Sequence, residues 1–124
     1  MIGYVTLGTN DLQRAAAFYD QLFAELGVGR MMETEQFIAW NGIGDAPGVA
    51  LTKPFDGQQA TVGNGTMVAF MMDSPETVDR MYHKAIELGA SCEGPAGPRG
   101  DSFYAGYFRD PDGNKCNFFY MTQP

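Results

Sequence analysis

Apolar residues recur at helical spacing in two well-separated stretches of the chain. Leu12, Ala15, Ala16, Tyr19, Leu22, Phe23 and Leu26 follow the i, i+3, i+4, i+7 rule and so line one face of a helix. Val78, Met81, Tyr82, Ala85 and Leu88 repeat that stripe. Start and stop signals bracket both. Asn10 or Asp11 can cap the first helix, and Ser74 can cap the second, with Pro75 at the first helical position where a missing N–H loses no bond. Gly27 and Gly89 supply left-handed stops.

A short apolar strand precedes each helix, beginning near Val5 and Val68. Laid on each other, the two stretches share strand, cap, helix and a Leu-Gly stop, so the chain is an internal repeat. Aromatic and aliphatic runs with turn residues between them follow each helix and predict an antiparallel meander. In the second copy, residues 103–121 are two strands joined by Asp110-Pro111-Asp112-Gly113-Asn114, a hairpin signal. In the first, residues 36–41 and 48–53 are strands joined by the turn-rich 42–47. The expectation is an α+β fold of two tandem βαβββ modules, residues 1–53 and 67–124, with a polar, Gly-rich linker at 54–66. Two such modules are expected to form a curved mixed sheet around a central pocket, and function is expected in that inter-module cavity.

Composition narrows the partners. Eight Lys and Arg against 15 Asp and Glu give a net charge of -7 over 124 residues, which excludes a partner recognised through its phosphate backbone. No nucleic acid is therefore expected. No apolar run approaches the ~20 residues that span a bilayer, and the first residues lack a leader pattern, so no membrane partner and a cytoplasmic location are expected. Cys92 and Cys116 have neither C-x-x-C spacing nor disulfide-scaffold density and are read as two reduced, buried thiols. His83 lies off the apolar stripe and is read as a solvated surface residue. The Gly-rich stretch 94–102 is no phosphate loop, since it has no Gly-Lys and leads into no helix. It is a candidate lid, in which Arg99 would anchor an anion.

Three motifs together, V-T-L-G-T-N-D-L-Q-R-A-A-A-F-Y from Val5, V-A-F from Val68 with Leu88-Gly89, and Y-F-R-D-P-D-G-N-K from Tyr107, resemble the vicinal oxygen chelate superfamily. That superfamily includes glyoxalase I, bleomycin-resistance proteins, fosfomycin-resistance enzymes and extradiol dioxygenases. The resemblance implies the glyoxalase/bleomycin-resistance/dioxygenase fold and a divalent metal held by His, Gln or Glu from the first and last strand of each module. The matching positions here are Tyr4, Ala50, Met67 and Asn117. A phenol, a methyl, a thioether and a neutral amide are a poor donor set for such a dication, so no metal cofactor is expected. Glyoxalase and ring-opening chemistry, which run through that metal, are disfavoured with it.

What the resemblance then implies is the bleomycin-resistance mode, metal-independent binding of a small organic molecule. Strand alternation adds Ile2 and Thr6 to the face of Tyr4, Ala69 and Met71 to that of Met67, and Lys115 and Phe119 to that of Asn117. Trp40 and Tyr104 are candidates for stacking on a planar ligand, although their parities are opposite in the matched strands. A lyase or isomerase of the superfamily, including a lactoylglutathione-lyase-like enzyme, is the alternative, with Tyr4 or Asn117 polarising an oxygen. A structural or regulatory dimer module with a vestigial pocket is a third reading. A homodimer is expected in every case.

Overall fold

A computed structural model describes residues 1–122; the last two residues of the predicted second module, 123 and 124, lie outside the described residues. The elements in chain order are β1 (Tyr4–Gly8), α1 (Leu12–Ala24), β2 (Arg30–Glu33), β3 (Phe37–Trp40), β4 (Gly48–Thr52), β5 (Val68–Met71), α2 (Pro75–Glu87), β6 (Ser91–Pro98), β7 (Phe103–Arg109) and β8 (Lys115–Met121). They divide into two compact units, Met1–Val62 and the residues from Gly63 onward, so each module is described by itself. Each is α+β, one helix on one four-stranded mixed sheet, in the orders β1-β4-β3-β2 and β5-β8-β7-β6. In both, the first and last strands pair in parallel and the other neighbours are antiparallel. A parallel pair needs a crossover, and the helix with its following strands supplies it.

The predicted caps form, with one division of labour that the sequence left open. Asp11 is the N-cap of α1 and accepts from the Arg14 amide at 3.1 Å. Asn10 instead holds the segment after β4, accepting from the Ala60 amide at 2.7 Å and donating to its carbonyl at 3.2 Å. Ser74 caps α2 through the Thr77 amide, with Pro75 opening the helix. Gly27 and Gly89 take φ of 71° and 109°, a region that side-chain-bearing residues rarely enter.

In the first module, Ile38, Trp40, Val49 and Leu51 meet the buried face of α1, which carries Ala15, Ala16, Tyr19, Leu22 and Phe23. Trp40 is the largest of these side chains and is 1% exposed. Its ring lies 6.0 Å from that of Tyr19 and 5.7 Å from that of Phe23. Its indole N–H donates to Asp20 Oδ1 at 3.1 Å, and Arg30 holds the same carboxylate with bonds of 3.0 and 2.7 Å. One carboxylate thus ties α1, β2 and β3 together beside the core.

In the second module α2 packs on β6, β7 and β8. Phe108 and Phe118 stack beneath it at 5.4 Å. Gly106 of β7 faces Tyr82 so closely that a Cβ there would stand 2.9 Å from its ring. Burial, aided by the neighbouring Cys92 thiol, pushes the Tyr82 phenol up to about 12, so it stays protonated under the helix. Gly106→Ala is therefore expected to destabilise this module by about 1–3 kcal/mol through overpacking. Urea unfolding followed by circular dichroism measures it, and an unchanged midpoint would show that Tyr82 yields freely.

The stretch 94–102 is not the loop its composition suggests. β6 continues through Gly94, Pro95 and Gly97 to Pro98, pairing with β7 past two register irregularities, and only the turn from Arg99 to Ser102 is left. The Arg99 amide closes that turn on the Phe103 carbonyl at 2.6 Å. Glycine and proline weaken a central strand, but β6 is an edge, where prolines need no ladder donor and bulges absorb the misfit. A lid spanning 94–102 is thereby ruled out.

Candidate functional site

Each sheet gives one face to its helix. The opposite face, open in the sense of helix-free, mixes exposed side chains such as Tyr4 and Met71 with buried ones such as Ala50 and Asn117. On the first module, β1 places Tyr4 and Thr6 on the open face, while Leu7 turns into the core. Thr6 is in register with Ala50, Ala50 with Ala39, and Ala39 with Met32, so these four form one row across the sheet. Phe37 lies on the same face, edge-on to Tyr4 at 6.2 Å. A hollow of about 330 Å³ opens here, with Tyr4, Met31, Met32, Phe37 and Ala39 in its wall. Tyr4 keeps 60% of its surface exposed, and Met31 and Met32 are also open to solvent. A second hollow of about 280 Å³, at the start of α1, is lined by Asp11, Gln13, Glu35 and Lys53, and its Asp11 is committed to capping.

Trp40 borders the larger hollow, yet its indole lies on the α1 side in the core. Tyr104, the other predicted stacking residue, is likewise turned to its helix, donating its hydroxyl to Asp79 Oδ1 at 2.7 Å. That bond, with some burial, raises its pKa above the usual phenol value. Neither ring stands on an open face. Register decides both cases: Trp40 pairs with Val49 rather than Ala50, and Tyr104 with Tyr120 rather than Phe119.

On the second module the open face carries Ala69, Asn117 and Tyr107 in one row, with Met71, Phe119 and Ala105 in the next. Met67 precedes β5 and is exposed, two positions from Ala69. Lys115 shares the face of Asn117, and its ammonium lies 5.7 Å from the centre of the Tyr107 ring. Arg99 lies 5.6 Å from the same centre, with its guanidinium donating to the carbonyls of Pro95 at 2.7 Å and Gly97 at 2.9 Å. Asn117 is 1% exposed, and its Oδ1 is buried with no hydrogen-bond partner. His83 is exposed on α2, with Nδ1 at 2.7 Å from the Asp79 carbonyl, away from this face.

Tyr107, Phe37 and Met32 complete these faces and were not singled out from the sequence. Tyr107 was within reach, because it lies as far before Asp112, the middle of the hairpin turn, as Asn117 lies after it. Phe37 and Met32 carried no comparable signal, since their parity depends on a register that two irregular turns set.

Metal fit follows from the donors. Tyr4 and Ala50 share the open face of one module, and Asn117 shares that of the other beside Met67's strand, offering a phenol, a methyl, an amide and a thioether. Among the described residues no three His, Cys, Asp or Glu side chains come together in a group that could hold an ion. This donor set does not fit the divalent metal of the vicinal oxygen chelate fold.

The repeat, the doubled helix-on-mixed-sheet module and the two open faces define a glyoxalase-type fold, and the chain belongs to the Glyoxalase/Bleomycin resistance protein/Dioxygenase superfamily, which it matches over residues 1–118. Among solved structures it is similar to a glyoxalase/bleomycin resistance protein from Albidiferax ferrireducens, at 36% identity and a TM-score of 0.88, over 100% of this chain and 99% of that one. A putative glyoxalase from Bacillus halodurans shares 22% identity and a TM-score of 0.79, over 97% of this chain and 95% of that one. Lactoylglutathione lyase from Agrobacterium tumefaciens shares 22% identity and a TM-score of 0.75, over 97% and 92%. The last two likenesses bear on the fold alone. No functionally curated protein matches the chain. Among the described residues no helix is long and apolar enough to cross a membrane.

Proposed function

We propose that this protein binds a small organic molecule without a metal, on the open sheet face of its first module. The observation that carries the reading is the first-module hollow. Its volume of about 330 Å³ falls within the range of small-ligand sites, and its walls combine an aromatic pair with two flexible thioethers. Large apolar side chains held open to solvent on a sheet face lose stability to no structural end, whereas a bound ligand would cover them. The open faces offer no donor set for a dication, so binding rests on shape, apolar contact and a few hydrogen bonds.

Native mass spectrometry of the protein as purified, with elemental analysis and a broad thermal-shift screen of organic compounds, tests this. The expected result is an organic ligand that raises the melting temperature equally with and without a chelator. Stoichiometric divalent metal, or stabilisation that the chelator abolishes, would overturn it, as would a screen with no organic ligand. The proposed assembly is a homodimer, supported by exposed apolar side chains that do not line the hollow, such as Ile43 and Val62, and light scattering reads it directly. The proposed location is the cytoplasm, supported by two free thiols, of which Cys116 is buried as expected while Cys92, on the edge strand β6, is exposed instead.

A further inference from the structure

The first-module hollow leaves the chemistry of the second module unused. Two cations there have no carboxylate partner among the described residues, although the chain as a whole has a net charge of -7. Arg109, on the same face, is neutralised by Glu93 at 2.9 Å. Lys115 stands directly opposite Arg109 in the β7–β8 register, a like-charge pairing that destabilises a sheet unless something else compensates it. Arg99 is held in place rather than left to wave in solvent. Gly94 makes room for its guanidinium, since a Cβ there would stand 3.3 Å from Nη2. The carbonyls of Pro95, Gly97 and Pro98 take part of its fork of five N–H groups and leave others free. Both cations lie near the centre of the Tyr107 ring, Arg99 at 5.6 Å and Lys115 at 5.7 Å. The Tyr107 hydroxyl makes no hydrogen bond among the described residues.

Beside them is a buried polar atom that folding alone does not explain. Asn117 is in register with Tyr107, and its orphaned Oδ1 demands a donor. The donor it needs is uncharged, because two cations close by repel an ammonium group.

We infer that the open face of the second module is a binding site for a small hydroxycarboxylate. Its carboxylate is held by Lys115, the free N–H groups of Arg99 and the Tyr107 hydroxyl, and its hydroxyl donates to Asn117 Oδ1. This site stands apart from the first-module hollow, and its residues report on it separately.

The test is an NMR titration of isotope-labelled full chain at low ionic strength with lactate and 4-hydroxybenzoate. Their amides, their analogues lacking the hydroxyl, and inorganic phosphate serve as comparisons. The expected result is that one of the two acids shifts the Asn117 side-chain amide and the Tyr107 ring, and that its amide binds roughly tenfold or more weakly. Lys115→Gln and Arg99→Gln each weaken that acid, while Lys53→Gln leaves it unchanged. Asn117→Leu abolishes the preference for the hydroxylated acid in a chain whose backbone spectrum shows it folded, and raises the midpoint of urea unfolding by removing the orphaned oxygen. The inference fails if neither acid moves Asn117 up to about 10 mM, where even binding of a few kcal/mol registers. It fails equally if amides bind as well as acids, or if phosphate binds as tightly without touching Asn117. Shifts confined to Tyr4 and Met32 would overturn it while upholding the first-module reading.

Discussion

Trp40→Ala is expected to cost the first module about 3–5 kcal/mol, enough to leave a substantial share of that module unfolded at room temperature. Trp40 is the largest fully buried side chain, and it touches two aromatic rings of α1. Its removal opens a cavity between helix and sheet that rigid strands cannot close. It also takes away the indole N–H bonded to Asp20, although Arg30 continues to hold that carboxylate. Trp40→Phe separates the two losses, since it keeps most of the ring packing and forfeits the bond, and is expected to cost about 1–3 kcal/mol. Urea unfolding by circular dichroism, with amide spectra to assign the change to residues 1–62, checks both. A Trp40→Ala variant within 1 kcal/mol of the parent, on the scale of a routine surface substitution, would show that the site collapses around the gap.

Asp110→Ala carries the second large effect, expected at about 2–4 kcal/mol in the other module. Asp110 is 4% exposed at the start of the hairpin turn, and its Oδ1 accepts from the amides of Asp112 at 3.0 Å and Asn114 at 2.9 Å. Its Oδ2 accepts from the Asn114 side chain at 3.1 Å. Alanine would strand donors of Asn114, a residue that is itself buried, where water cannot replace the carboxylate. Asp110→Asn keeps part of the acceptor set and is expected to fall between the two. Hydrogen exchange at β7 and β8 amides reads the change, because this turn fixes the register that sets Tyr107 opposite Asn117. Unaltered protection there would mean that the strands hold the turn, and not the reverse.

That second case explains why the D-P-D-G-N motif was so legible. Its information is local: an acidic side chain, a proline and a glycine in five positions specify a turn whatever surrounds them. The same holds for Ser74 with Pro75, and for the stripes of Val78, Met81, Tyr82 and Ala85, which is why the repeat and both helices could be read from the chain. Alternation along one strand was equally readable, and it placed Thr6 with Tyr4 and Phe119 with Asn117.

What failed depended on register between strands. Trp40 looked like an accessible ring because strand parity across residues 42–47 is set by turn geometry that composition does not encode. The face of Tyr104, by contrast, follows from the 110–114 turn, which pairs it with Tyr120, and was within reach of the same count that places Tyr107 opposite Asn117. β6 itself was concealed, because glycine and proline argue against a strand unless its edge position is known. The orphaned oxygen of Asn117 was beyond reach for a different reason. Whether an amide lacks a partner depends on every neighbour that fails to arrive, and no motif spells that out.

The pairing of first strand with last has a consequence for the order of assembly. β1 finds its parallel partner once residue 52 has been made, so the first module can close while the second is still being synthesised. β5 waits in the same way, its backbone unpaired until residues 115–121 emerge. During that interval its apolar Val68, Phe70 and Met71 are an exposed adhesive edge. Slow elongation after residue 71 would therefore promote aggregation of the nascent chain more than the same pause after residue 121.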